Sequence, residues 1–469
     1  MNWIAWKTGK VRAQVPCRVS NRERALSLVL AVFLLSACSL ISDRVDPGAD
    51  AISTSTRDES VTETRIQATG RTQQASPSPP PTEVPFPEDL PLAEVSYRLP
   101  LTLQFVDEES AIFYFELSEP VSGELILQDA EQGDSDLLRT PFEPLNGRHQ
   151  IQLNQLQGVT SYRAMIVLED GSSQPGFRGE VWGPLLFETS SEERGDLRIG
   201  LIGDASFGDA ITTRLVEQLA AADLDFVIHA GDVVDVLENG RDPYEEYALG
   251  YYLPFAPLLT RMPVYTVPGN HDYDADILFE NSPFYFTAFP SFEGVSRPEN
   301  HAAENIAAYA FVRGGVQFLF LDSQVFYGAE GRASQDAWME ERLQDSSADA
   351  TIVVFHIGPY SCSTVHPEDR IAVRDSWVYR LEAAQVPLVL SGHYHGYERA
   401  EENGITYIIS AGGSEILYAQ GAWLPQTRVA ERVSHVVILE IQAGSLHLQA
   451  VSEDGEVIDQ ITLLIGEGG

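Results

Sequence analysis

Five strand-length apolar runs in the second half of this chain each stop at a residue type that binds metal ions. "LRIGLIGD" ends at Asp204, "LDFVIHAGD" at Asp232, "PVYTVPGNHD" brings Asn270 and His271, "ATIVVFH" ends at His356, and "VPLVLSGHYH" brings His393 and His395. The runs do not alternate between apolar and polar residues, so they are predicted to be strands buried on both faces. Helix-like segments such as "DAITTRLVEQLAAAD" and "SQDAWMEERLQDSS" lie between some of them, which makes the pattern α/β. Open α/β sheets present ligands at the carboxyl ends of their strands, so the five endings should meet at one rim. His393 and His395 would face the same target from an extended backbone. Gly203, Gly231, Gly269 and Gly392 stand immediately before candidate donors, where a missing Cβ lets the backbone turn sharply. Any single histidine pair could be an exposed loop feature, but five endings of one kind favour a shared metal site.

The 469 residues carry 30 basic and 69 acidic side chains, a net charge of −39. That balance excludes nucleic acid as a binding partner and nonspecific attraction to an anionic bilayer. A phosphate-bearing substrate would need a local source of positive charge. Lys7, Lys10, Arg12, Arg18, Arg22 and Arg24 precede the apolar segment "ALSLVLAVFLL", residues 25 to 35. This segment is shorter than the roughly 20 residues needed to span a bilayer and reads as an export signal, residues 1–37. Leu35-Ser36-Ala37-Cys38 is similar to a bacterial lipobox, which implies lipidation of Cys38 and membrane attachment through that anchor alone, at the cell surface or in the periplasm. Processing would also remove Cys17 and leave Cys362 as the one free thiol, so no intrachain disulfide is expected.

The length suggests two folded units. Residues 39–92, with "STSTRDESVTETR" and "ASPSPPPTEVPFPEDLP", read as a disordered tether. Residues 95–190 carry short alternating runs, among them "LTLQFV", "AIFYFEL", "GELILQD" and "SYRAMIVLE", separated by turn residues; they predict an all-β sandwich. Within it, "LNQLQGVTSYRAMIVLE" resembles the leucine-to-tyrosine corner of a fibronectin type III domain, of the immunoglobulin-like kind. Residues 195–466 form the α/β unit, and the tail strands are expected to close the far edge of its sheet.

"GDAS" at 203, "HAGDVVD" at 229, "VPGNHD" at 267, "VVFHIGPYS" at 353 and "GHYHGYER" at 392 together resemble the calcineurin-like metallophosphoesterases. The G-H-x-H-x-Y-E-R piece is similar to their purple acid phosphatase branch. The resemblance covers residues 95 to 465 and implies a four-layer α/β/β/α sandwich behind a fibronectin-like domain. It also implies two metal ions, Fe, Zn or Mn, divalent or mixed-valence. Asp204, Asp232 and His395 would hold one; Asp232, Asn270, His356 and His393 would hold the other. His271 would contact the substrate phosphoryl group and protonate the leaving oxygen. The implied activity is phosphate monoester hydrolysis by a hydroxide bridging the ions, as in acid phosphatases, with Asp232 part of the catalytic machinery and Asn270 also a substrate contact.

Two positions depart from the family pattern. Ser206 stands where ordinary members have histidine, and Asp235 stands where the purple branch has tyrosine. Asp235 is therefore expected to replace the tyrosinate as a carboxylate ligand of the first metal. Tyr360 and His366 are candidate substrate contacts, and Tyr397 and Arg399 could touch phosphate or brace the loop. His229 is expected to pack in the core, while His149, His301, His435 and His447 read as structural or exposed. Asp272 and Asp322 should orient neighbouring groups. Cys362 lacks an evident base and is not expected to be a nucleophile. Two other readings share these residues: a phosphodiesterase or nucleotidase using the same site, and a surface binding protein with a degenerate first metal site.

Overall fold

The computed structural model describes residues 90–465 except 132–137, 145–146, 174, 191–195, 236–241, 274–283, 293–294, 300–305, 329–330, 346 and 443. The export signal, Cys38, most of the tether and His301 lie outside the described residues. The last residues assigned to the tether already belong to folded structure. Ser173 N–H donates to Pro91 O at 2.9 Å and Ala93 N–H to Ser173 O at 3.0 Å, so residues 90–92 lie against the sandwich. Among the described residues, no helix is long and apolar enough to cross a membrane.

Period-2 runs build the first part. Arg148–Asn154 alternates exposed and buried residues along its whole length, as a strand with one face on a core requires. Tyr97–Val106, Ser110–Leu117 and Arg148–Asn154 form one antiparallel sheet. Leu138–Phe142, Gly123–Asp129, Ser161–Leu168 and Leu185–Glu188 form the second, in that order. Leu138–Phe142, a mostly exposed edge with little apolar signal, is not predicted by the sequence patterning, nor is the two-residue pair Gly176–Phe177 and Glu180–Val181. The corner is formed as expected. Leu156 and Tyr162 are buried, and the Tyr162 hydroxyl accepts the Gln157 N–H at 2.9 Å.

The α/β part holds two sheets. In the first, Val264–Thr266, Phe226–His229 and Leu197–Ile202 run parallel. His435–Gln442 then joins Leu197–Ile202 antiparallel, followed by Ser445–Ser452 and Val457–Leu464. The tail therefore completes half of a sheet, from "HVVILEI", which is buried enough to sit beside the central strand, out to Val457–Leu464 at the far edge. The second sheet has seven strands, with Val316–Phe320, Ala350–Ile357, Leu388–Gly392 and Ile405–Ser410 parallel at its centre.

Alternation within the apolar runs decides the layers. Phe226, Ile228, Ile352, Val354, Leu388 and Leu390 point between the two sheets into a shared core. Val353, Phe355 and Val389 point the other way, onto Trp338, Trp377 and Leu381 of helix Arg332–Leu343 and the helical segment 369–383. Val227 and Ile202 meet helix Ala210–Ala220 through Leu215, Val216 and Leu219. Each such fully buried side chain contributes about 1.5 to 3 kcal/mol of transfer free energy. Asp209 caps the Ala210–Ala220 helix, accepting Thr212 N–H at 2.8 Å, an interaction worth about 1 kcal/mol. The outcome is the expected α/β/β/α layering. The sandwich core runs without a break into the Ala210–Ala220 layer, and Tyr114 Oη donates to Thr287 O across that junction at 2.9 Å.

Candidate metal centre

The expected donors do converge. Asp204 and Asp232 follow the parallel strands of the first sheet, and His356 and His393 belong to the second, so the centre bridges the tops of both sheets. Asp204, Asp232 and His393 have φ of +57°, +51° and +71°. Left-handed backbone at residues other than glycine carries strain, which the packed strand ends hold in place. The glycines are needed because the donors crowd the backbone. A Cβ on Gly269 would lie 2.0 Å from Asp232 Oδ1, and one on Gly392 would lie 2.6 Å from Asp204 Oδ2.

Two groups of possible metal donors result, Asp204 with Asp232 and His395, and Asp232 with His356 and His393. Within each group the donor atoms lie within 4.8 Å of one another, and Asp232 belongs to both. Asn270 Oδ1 adds an amide oxygen 2.9 Å from His393 Nδ1 and 3.2 Å from His356 Nε2. Each imidazole has its other nitrogen engaged. His356 Nδ1 is 2.8 Å from Ala230 O, His395 Nδ1 is 2.8 Å from Ile416 O, and His393 Nε2 is 3.0 Å from Asp369 Oδ2. Such contacts fix ring orientation and leave the inward nitrogen free as a donor. Buried carboxylate and amide oxygens beside neutralisable imidazoles fit divalent first-row metals. Without a cation, burial disfavours the charged form of Asp232, but His356 and His271 nearby pull its pKa down overall.

The structure does not bring Asp235 into either donor group. Its half-exposed carboxylate instead pairs with His271 Nδ1 at 3.2 Å. Burial opposes charge on His271, yet the carboxylates of Asp235 and Asp232 outweigh it and push the pKa up to about 9. In this structure the Asp235 carboxylate thus faces His271 rather than joining the first donor group. Among the described histidines, cysteines and carboxylates, the first group brings together Asp204, Asp232 and His395. Tyr360 is also displaced from its expected place. It is buried edge-on against Tyr407 with ring centroids 4.9 Å apart, because the chain leaving Ala350–Ile357 turns that side chain toward the helices. His366 does reach the mouth, its ring 5.5 Å from His393 and its Nδ1 3.8 Å from Asp369.

The remaining candidates brace the site. Tyr397 Oη donates to Asp459 at 2.8 Å, and Arg399 Nε does so at 2.7 Å, both turned away from the donors. Asp272 accepts N–H bonds from Gly269, at 2.8 Å, and Val233, at 3.1 Å, tying two donor loops together. Asp322 accepts the Tyr273 hydroxyl and so steadies the residue after Asp272. His229 packs against Phe255 in the core. Burial pushes the Cys362 thiol up to about 12, which rules out a resting thiolate. Two site residues carry no sequence signal. Asp369, behind His393, begins the short helix Asp369–Val373. Tyr418 lies flat on His395, with ring centroids 4.0 Å apart and planes within 2°.

With this geometry in hand, residues 197–397 match the family model described as calcineurin-like phosphoesterase. These residues are similar to calcineurin-like phosphoesterases. The chain is 24% identical over 276 residues to purple acid phosphatase 23 of Arabidopsis thaliana, covering 54% of this chain and 57% of that protein. It is 29% identical over 114 residues to serine/threonine-protein phosphatase CPPED1 of Danio rerio, covering 22% and 37%. The chain thus spans little more than half the length of the first of these relatives, and less of the second. Among solved structures, the fold is similar to purple acid phosphatase PPD1 from yellow lupin, Lupinus luteus, with TM-score 0.61 and 17% identity, covering 78% of this chain and 74% of that one. It is also similar to PhoD, with TM-score 0.57 and 11% identity, covering 80% and 94%. The family model and the named phosphatases indicate a metal-dependent phosphoesterase.

Proposed function

We propose that this chain hydrolyses phosphate monoesters with a dinuclear metal centre, outside the cytoplasm and tethered through Cys38. The observation that carries the reading is the sharing of Asp232 between two buried donor groups, since one carboxylate common to both is what a pair of adjacent ions requires. When bound, such ions supply Lewis acidity that lowers the pKa of water and neutralises phosphoryl oxygens. They also supply the positive charge that the −39 chain otherwise lacks.

The chain's own residues complete the chemistry. His271, held protonated by Asp235, gives a proton to the leaving ester oxygen. Its neighbour Asn270 points its side-chain oxygen at His356 and His393, which leaves the amide NH2 as a donor toward a phosphoryl oxygen. His366 and Tyr418 wall the mouth, their ring centroids 6.2 Å apart. The sandwich is of the fibronectin type III kind, on the support of its three-plus-four strand arrangement and its tyrosine corner. The export signal and lipid anchor rest on the sequence of residues 1–38.

The test is turnover of para-nitrophenyl phosphate against its bis ester by protein loaded with Mn, Zn or Fe. Faster monoester hydrolysis supports the reading. Faster diester hydrolysis moves the substrate class to phosphodiesters, and no hydrolysis of either leaves a binding protein.

A further inference from the structure

A second built pocket lies away from the metal centre, where the sandwich meets the α/β part. It is a cavity of about 260 Å³. Its walls are aromatic, including Tyr252, Tyr285, Phe286, Phe289, Phe292 and Tyr309, and the sandwich closes one side with Thr102 and Gln104. Arg297 also lines it. The guanidinium carbon sits 5.2 Å from the Tyr309 ring centroid and 5.8 Å from that of Phe292. Its Nε is buried with no hydrogen-bond partner, and among the described residues no carboxylate lies within ion-pair distance of it. The chain has 69 acidic residues against 30 basic ones, so the lack of a carboxylate beside Arg297 among the described residues is not a matter of supply. Burial weakens its charge, and the groups opposing that loss are the phenols of Tyr309 and Tyr285.

An arginine seated among aromatic rings with its Nε unpartnered and no carboxylate beside it among the described residues leaves a cationic donor unmet in an apolar pocket, a costly arrangement that an anionic ligand relieves. The size is just below the 300 Å³ or so at which drug-sized ligand sites begin, which suits one or two rings. A single arginine balances one negative charge, and a dianionic phosphate would leave a charge uncompensated. We propose that this cavity binds a small aromatic carboxylate, with the ring system among the tyrosines and phenylalanines and the carboxylate on Arg297. The ligand would touch both domains and hold them together.

The experiment uses the metal-loaded full chain with saturating orthophosphate, which occupies the metal centre. The probe is 2-naphthoate, followed by calorimetry and thermal unfolding, with 2-naphthamide as its uncharged match. The expected result is one site, a raised melting temperature and at least tenfold weaker binding of the amide. Arg297→Gln should reduce naphthoate affinity at least tenfold and leave para-nitrophenyl phosphate turnover unchanged. Absent binding, displacement by orthophosphate, equal affinity for acid and amide, or an Arg297→Gln protein that binds like the wild type would each overturn the proposal. If Arg297→Gln does not fold, the acid and amide comparison on the wild type decides it alone.

Discussion

The two halves of the metal centre share Asp232 but are supported differently. In one half, Asp232, His356, His393 and Asn270 are held from behind by the His271 N–H, Ala230 O and Asp369. In the other, Asp204, Asp232 and His395 come together with no fourth histidine, cysteine or carboxylate among the described residues, and Tyr418 covers His395 with its ring face. A site with fewer protein ligands holds its ion less tightly. The contrast is that the two positions expected to depart from the family pattern, Ser206 and Asp235, both belong to one side of the candidate centre, while the other side brings its four expected donors together.

The strongest way to break this comparison is to remove what both halves use. Asp232→Asn should lower para-nitrophenyl phosphate turnover by about three orders of magnitude or more, measured with metal in excess. Next, His271→Ala should depress kcat by about 10² to 10⁴ while elemental analysis finds the metal content unchanged; loss of metal would show that His271 is a ligand. His395→Ala should sharpen the contrast by emptying only the weaker half, leaving one ion per chain after mild chelation. Asp369→Asn, acting on the stronger half through His393, should cost about 10- to 100-fold in metal affinity, read by competition with a coloured chelator.

The smallest effect concerns pH. In the proposed mechanism the protonated form of His271 is the proton donor, and Asp235 helps raise its pKa to about 9. Asp235→Asn removes that support, so the folded pKa falls and the acid form is lost at lower pH. The alkaline limb of the kcat profile should move toward acid, with metal occupancy unchanged. If metal occupancy falls instead, Asp235 is a ligand after all.

Much of this was legible in the sequence, for physical reasons. The strands carrying Asp204, Asp232, His356 and His393 are buried in a two-sheet core, so their apolar runs are long, and their ends are marked by glycines that the crowded donors demand. The layering followed from those runs. What stayed hidden depends on where loops travel. Asp369 and Tyr418 reach the centre from segments with neither apolar period nor motif. Tyr360 follows His356 by four residues, yet the turn after that strand sends it into the core. Asp235 sits at the expected position of a ligand, but its carboxylate reaches His271 first. Arg297 gave no sign, because its place among aromatic rings is visible only in three dimensions.

The central claim is that Asp232 joins two neighbouring ions. Elemental analysis of the full chain, before and after Asp232→Asn, tests it most directly. Two ions per chain are expected in the wild type and fewer than one in the variant. A wild type that holds a single ion, or a variant that keeps both, would contradict it.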